Sequence, residues 1–328
     1  MIGAGWVTEY HLEAWRSVAG RAGVVSIADP SRPAREGRAR AYGIAATYPD
    51  AEAMLATEQL DAVDICAPRE FHAGLVRLAA AAGLPVLCQK PLATDLAAAR
   101  QLVAEVGDTI PLMVHENWRF RAWYRRMRDW LDQGLAGELR HVQLEFLSSG
   151  MIPDATGARV ALVRQPFFRT LDRLLVMEVL IHHLDTLRFL LGELAVHSAR
   201  LYRTNPDIIG EDVATLVLSR KRDGLPVLVS GNLAAHGAPS LPHERLRLFG
   251  ARGTLELEGH TLRLDGAEQR TEQFDAGRTY QDSYSQVIAH FLDGLDGKAR
   301  FETAPEDNLK TLELVETIYE RAGPVLVR

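Results

Sequence analysis

The first 118 residues alternate between short apolar runs and helical stretches, and this alternation constrains the fold more than any other feature of the chain. Apolar runs at 24–28, 62–67, 85–88 and 111–114 are separated by predicted helices at 33–42, 50–57, 72–82 and 95–106, the last of them capped by Thr94. Strands that alternate with helices imply a parallel sheet wound on both faces. In such sheets the ligand lies beyond the carboxyl ends of the strands. That rule gathers Asp29, Pro68, His72, Gln89, Lys90 and residues 115–119 on one rim.

The chain opens Met1-Ile-Gly-Ala-Gly-Trp-Val-Thr8. Gly3 and Gly5 supply the first two glycines of a dinucleotide fingerprint, allowing a tight turn and close approach of backbone to a pyrophosphate at the start of the next helix. Thr8 occupies the third glycine position, so helix and strand are expected to pack slightly further apart there. Only Met1 and Ile2 precede Gly3, where a first strand of about five residues is expected; either the native chain starts upstream or strand one is truncated. Asp29 ends the 24–28 strand at the distance suited to ribose hydroxyls. A carboxylate there repels a 2′-phosphate, which favours NAD. Arg32 could tolerate NADP, but a solvated residue at a helix start is the preferred reading of it. The expected cofactor contacts are Gly3, Gly5, Trp6, Val7, Asp29, Ala67, Pro68, His72, Gln89 and Lys90. This is a Rossmann-type domain over residues 1–118.

Residues 119–328 read differently. Strand signals dominate at 139–147, 196–203, 214–220, 226–233, 245–249, 254–258 and 261–264, with the Asp223-Gly224 turn between two of them. Strands in series joined by turns make a large, mostly antiparallel open sheet, and helices at 120–133, 171–192, 283–295 and 305–321 complete an α+β domain. One sheet face is left uncovered, which suits a homodimer or homotetramer formed through it. Residues 148–169 form a long irregular insertion, and such loops are often functional lids. Arg164 is its candidate substrate contact.

Arg119, Arg121, Arg125, Arg126 and Arg128 cluster around helix 120–133, interleaved with Trp118, Trp123, Tyr124 and Trp130. With a formal net charge of −6, this pattern reads as a solvated face over an aromatic stripe and not as a nucleic-acid surface. Trp118 and Arg119, next to a strand end, are placed at the substrate. There are two cysteines, Cys66 and Cys88. They read as core residues of a cytoplasmic protein. No apolar run approaches the roughly 20 residues needed to cross a membrane.

Within 171–192, Glu178, His182 and Asp185 recur at i, i+4 and i+7 and share a helical face. Their neighbours Val179, Leu180, Ile181 and Leu184 are apolar, so the helix is buried and its polar row must face a cavity, a metal or a reacting ligand. Pairing of Glu178 with His182 would also satisfy it. A metal-dependent hydrolase or isomerase would use Glu178, His182, His183 and Asp185 as ligands. However, His182 and His183 are adjacent and point about 100° apart, and no second cluster completes a shell, so no metal is assigned. A non-catalytic NAD-binding sensor would need neither Lys90 nor His182.

Four stretches carry a resemblance to the glucose–fructose oxidoreductase / inositol 2-dehydrogenase / MocA family of NAD(P)-dependent oxidoreductases. They are Gly3-Ala-Gly5, Ala67-Pro68 followed by His72, Gln89-Lys90-Pro91, and residues 178–185, and the likeness runs nearly end to end. It implies a catalytic lysine at Lys90 and an acid–histidine pair at Glu178 and His182. Gln89 stands where the family has Glu, Glu178 where it has Asp, and Leu180 where it usually has Gly. The family oxidises sugars, polyols and related carbinols by hydride transfer. His182 would be the natural base, oriented by Glu178, with Lys90 holding the developing alkoxide. His183 is given a substrate-side orienting or packing role. Residues 115–120 and 164–166 look most like a branch that oxidises the branched pentose D-apiose to its lactone.

Overall fold

A computed structural model describes residues 1–327 and divides them into two compact units. One comprises Met1–Arg121 and Gly277–Leu312; the other comprises Ala122–Ala276 and the residues from Glu313 onward. The boundary differs from the division at 118/119, because the chain returns to the first unit near its end. There Tyr284, Val287, Ile288 and Phe291 enter the same apolar cluster as Leu12, Trp15, Ile27 and Met113.

In chain order the elements are α1 (Thr8–Ser17), β1 (Ser26–Ala28), α2 (Arg32–Tyr42), β2 (Ala46–Tyr48), α3 (Ala51–Thr57), β3 (Val63–Ile65), α4 (Arg69–Ala81), β4 (Val86–Gln89), α5 (Leu96–Val106) and β5 (Leu112–His115). The second unit follows with α6 (Ala122–Asp132), β6 (Leu139–Leu147), α7 (Val160–Arg164), a π-helical turn Leu175–Leu180, α8 (Ile181–Leu191), β7 (Leu194–Arg203), β8 (Val213–Arg220), β9 (Pro226–Asn232), β10 (His243–Gly250), β11 (Gly253–Glu258), β12 (Thr261–Gly266) and β13 (Arg270–Gln273). Helices α9 (Ala276–Leu295) and α10 (Pro305–Ala322) and strand β14 (Leu326–Val327) close the chain.

In the first unit β1 pairs with β2, and β3, β4 and β5 pair in that order, all parallel. Ile2 bridges β1 to β3, facing Ala28 on one side and Ile65 on the other. The first strand is thus a single bridging residue. The Ile2 N–H donates to the Asp64 carbonyl, and the Ile2 carbonyl accepts from the Cys66 N–H. One apolar cluster lies with α1 and α9 around Leu12, Leu87, Met113 and Phe291; a second, around Met54, Val76 and Leu102, covers the other face with α3, α4 and α5. Helices on both faces bury strands that read as continuous apolar runs. Helix α5 is capped by Asp95, whose carboxylate accepts the Ala98 N–H at 2.9 Å, and not by Thr94. Aspartate reaches the N3 amide from the cap position itself, and Thr94 lies one residue too early.

The second unit is built on a nine-stranded sheet, ordered β13-β12-β11-β10-β6-β9-β8-β7-β14. Only β6/β9 and β7/β14 are parallel among the pairings. Val142, Leu144, Phe146, Leu216, Val229, Leu246 and Leu257 form its buried face. On the other face Val217 and Leu228 are cross-strand partners, each 38% exposed. The insertion 148–169 is less irregular than its composition suggests, since it contains α7 and a 3₁₀ turn, Pro166–Arg169. Likewise 171–192 is not one α-helix. It begins as the π-helical turn, whose Leu180 fills the space above Gly231; a Cβ on that glycine would lie 3.0 Å from Leu180 Cδ1.

Candidate active site

The glycine loop is built as the sequence requires at one position and left open at another. Gly3 has φ +100°, and a Cβ there would lie 2.7 Å from the Cys66 carbonyl group. Only glycine fits. A Cβ on Gly5 would meet nothing within 4 Å, so the absence of a side chain leaves space above the loop. The start of α1 carries no side-chain cap, and uncapped amides at a helix N-terminus suit an anion. Thr8, in place of the third glycine, is buried and donates its hydroxyl to the Gly3 carbonyl at 3.1 Å, tying helix to turn. Asp29 accepts the Ala4 N–H at 2.8 Å and the Ser31 N–H at 2.7 Å. The open loop, the uncapped helix and an acid at the end of β1 fit a dinucleotide. Arg32 is exposed and paired with Glu36 at 2.6 Å, as expected of a solvated helix start. Trp6 and Pro68 are exposed and Val7 and Ala67 half-buried beside this loop and the end of β3.

His72 and Gln89 lie behind the rim. Both His72 ring nitrogens sit 2.7 Å from a carbonyl oxygen, that of Pro91 on one side and Ala67 on the other. The ring thereby clamps the Ala67-Pro68 turn to the segment after Lys90. Burial pulls its pKa below the ordinary value, the two carbonyls pull upward, and the charge of Lys90 pushes down again. Burial is the largest of these effects and leaves the pKa below its ordinary value. Gln89 is buried, and its amide is spent on the Lys90 N–H at 2.8 Å and the His11 ring at 3.1 Å. Lys90 itself is half-buried at the end of β4.

Two residues placed at the substrate by sequence are built into internal networks. Arg119 is buried, bonded to the Glu302 carbonyl at 3.0 Å and paired with Asp307 at 2.7 Å. Its charge is neutralised inside the unit, because burying a guanidinium requires a partner. Trp118, by contrast, is only half-buried, with the Arg121 guanidinium stacked 3.4 Å over its ring.

In the second unit Glu178 lies in the π-helical turn and is half-buried, while His182, His183 and Asp185 follow on α8 and are buried. His183 is the other residue turned inward: its Nε2 sits 3.0 Å from Glu244, which also accepts the Tyr124 hydroxyl at 2.8 Å. Asp185 lies 3.9 Å from Arg188. Arg164 is exposed at the end of α7. The start of the π-helical turn before α8 rests on Glu211, whose carboxylate accepts the N–H groups of Leu174 and Val176 at 3.3 and 2.9 Å and the Tyr319 hydroxyl at 2.7 Å. Burial raises the Glu211 pKa, and the same donors offset part of that rise.

Sequence reasoning overlooked Glu211 and Glu244, and also Asp64 and His11. Asp64 carried a usable signal, a carboxylate in the middle of an apolar strand, which must be paired. Its partner His11 lies 53 residues away and carried none.

Residues 1–110 match the oxidoreductase family with an NAD-binding Rossmann fold, and residues 124–256 match the GFO/IDH/MocA C-terminal domain. Two relatives are D-apiose dehydrogenases. That of Rhizobium rhizogenes is 32% identical over 98% of this chain and 94% of its own, and that of Paraburkholderia graminis is 34% identical over 97% and 86%. An Agrobacterium radiobacter oxidoreductase, solved with NAD+, L-tartaric acid and magnesium, superposes with a TM-score of 0.89 at 31% identity, covering 98% of this chain and 94% of that one.

Proposed function

The chain belongs to the GFO/IDH/MocA family of NAD-binding oxidoreductases, and from that premise we propose that its substrate is D-apiose or a closely similar branched pentose. The broader activity is that of an NAD-dependent dehydrogenase of sugars or polyols. The observation that carries the narrower reading is the near full-length identity of 32% and 34% to two D-apiose dehydrogenases.

Gly3, Gly5, Trp6 and Val7 would hold the pyrophosphate side of NAD, Asp29 the ribose, and Ala67 and Pro68 the rim beyond β3, with His72 and Gln89 supporting it from behind. Bound there, NAD+ would supply the hydride acceptor for oxidation of the carbinol carbon. The remaining work belongs to side chains. His182 takes the hydroxyl proton, Glu178 orients the ring and balances its charge, and Lys90 donates to the same oxygen as negative charge develops there. For a hemiacetal carbon the product is the lactone. Trp118 and Arg164 are proposed substrate contacts. The acid at Asp29 suits NAD over NADP, because a carboxylate repels a 2′-phosphate.

Both cysteines are buried free thiols, which supports a reducing, cytoplasmic setting. Among the described residues no helix is long and apolar enough to cross a membrane. The half-exposed apolar pair Val217 and Leu228 supports a homo-oligomer formed through the outer sheet face.

The test is NADH formation by the purified protein against D-apiose, other pentoses, hexoses and inositols. D-apiose should give the highest kcat/KM. An inositol ranking first would displace the pentose reading, and activity confined to non-carbohydrate substrates would remove it.

A further inference from the structure

A line of hydrogen bonds, buried except at its half-buried Lys90 end, runs from the core of the first unit to Lys90. The Lys90 N–H meets Gln89 Oε1 at 2.8 Å, Gln89 Nε2 meets His11 Nε2 at 3.1 Å, and His11 Nδ1 meets Asp64 Oδ2 at 2.9 Å. Trp15 Nε1 donates to the same Asp64 oxygen at 2.7 Å. His11 is fully buried, and its ring packs 4.1 Å from that of His115 and edge-on to Tyr284.

The direction of every bond in this line is determined. A backbone N–H can only donate, so Gln89 must present its carbonyl oxygen to Lys90. Its NH₂ then faces His11, whose Nε2 must accept. A neutral imidazole that accepts at Nε2 carries its proton on Nδ1, and Nδ1 faces the Asp64 carboxylate. All donors thus point toward one anion. Strand β4 pairs with β5 as far as Gln89 and His115, so the Lys90 amide lies just past the ladder, and a side chain anchored in the core takes it up.

We infer that Asp64 and His11 are positioning residues for Lys90, acting through Gln89; this rests on the reading of Lys90 as the group that donates to the substrate oxygen. Asp64, His11 and Cys66 also lie close enough to share a cation, within 4.8 Å of one another. Two N–H groups aimed at one Asp64 oxygen, and a Cys66 thiol kept protonated first by burial and then by the Asp64 charge, favour the hydrogen-bonded line. Gln89 matters because its amide offers one acceptor and one donor, as the line requires. A carboxylate at that position would still accept from Lys90 but would demand a second proton on His11.

The first experiment needs no variant. The ¹⁵N spectrum of the histidines in the unliganded protein should show His11 protonated at Nδ1 and unprotonated at Nε2, and amide exchange at Lys90 should be slow. An Nε2–H tautomer, or an imidazolium at neutral pH, would overturn the inference. The second is a mutant cycle. Gln89→Met and His11→Phe should each lower kcat tenfold or more, with KM for NAD+ within about twofold, since a small misplacement of a reacting group costs up to about 10² in rate. Losses along one line do not multiply, so the double variant should match the worse single. Gln89→Glu keeps an acceptor for the Lys90 N–H but offers no donor to His11 Nε2, so the same ¹⁵N spectrum should show that nitrogen becoming a donor. Multiplying losses in the double variant, or a Gln89→Met enzyme as fast as the parent, would sink the inference. Lys90→Met distinguishes the underlying reading: parental turnover there would remove the role of Lys90 itself, whatever the tautomer of His11.

Discussion

Tyr319 donates a partly buried hydrogen bond of 2.7 Å to Glu211 beneath the π-helical turn that leads into the helix carrying His182. Tyr319 also accepts the Met177 N–H at 3.2 Å, and Glu211 takes two further amides of the same turn. Helix starts leave N–H groups without intrahelical partners, and here they are met by side chains from distant segments. Glu211→Ala strands several buried donors at once. At about 1–3 kcal/mol for each unsatisfied group, a loss of at least ~3 kcal/mol in unfolding free energy is expected, read from the urea midpoint. An unchanged midpoint would show that this turn does not depend on Glu211.

His182→Ala tests the proposed base. Cofactor binding, followed by quenching of intrinsic fluorescence on adding NADH, should stay near the parental value, while kcat falls by about 10² to 10⁴. Turnover at the parent rate would assign the proton to another group.

Gly3 and Gly5 separate folding from binding. Gly3→Ala forces a Cβ to 2.7 Å from the Cys66 carbonyl at φ +100°, and should destabilise the protein by about 1–3 kcal/mol. Gly5→Val meets no protein atom at its Cβ. It should melt close to the parent yet bind NAD+ at least tenfold more weakly, because the side chain occupies the space offered to the pyrophosphate. Calorimetric titration and thermal melts of the two variants decide this; equal NAD+ affinity in Gly5→Val would move the phosphates elsewhere.

His72 gives a pH dependence of defined sign. Burial holds its native pKa below the ordinary 6.5, so below that pH the unfolded chain binds the proton more readily than the native one. The stabilisation is fully present above the ordinary value and is lost as pH falls through the depressed native one. His72→Gln should flatten this part of the stability–pH curve relative to the parent. Parallel curves for the two proteins would show that His72 titrates as it does in the unfolded chain.

The outer face of the sheet is tested at Val217 and Leu228, which face each other across β8 and β9. Replacing both with Lys should lower the mass measured by light scattering without changing the melting temperature by more than a few degrees, since each side chain is already 38% exposed. An unchanged mass would place any subunit contact on another surface.

Several features could be read from residue order alone, and they are the local ones. The strand–helix alternation, the turn at Gly3 and the open position at Gly5, the acid at Asp29, and the strand-rich second half all follow from periodicity and backbone sterics, which act over a few residues. The Glu178, His182 and Asp185 row rests on α-helical spacing, whereas Glu178 lies in the π-helical turn and His182 and Asp185 on α8. Tertiary structure decided which polar groups meet. His11 reaches Asp64 across 53 residues and Gln89 across 78, and Arg119 reaches Asp307 across 188. Chain periodicity says that such a group is buried, but not which distant partner neutralises it. It also could not show that 171–192 starts with a π-helical turn, because that turn is shaped by Glu211 and Tyr319 and not by the spacing of its own side chains. Burial of charge requires a partner, and only the fold supplies its identity.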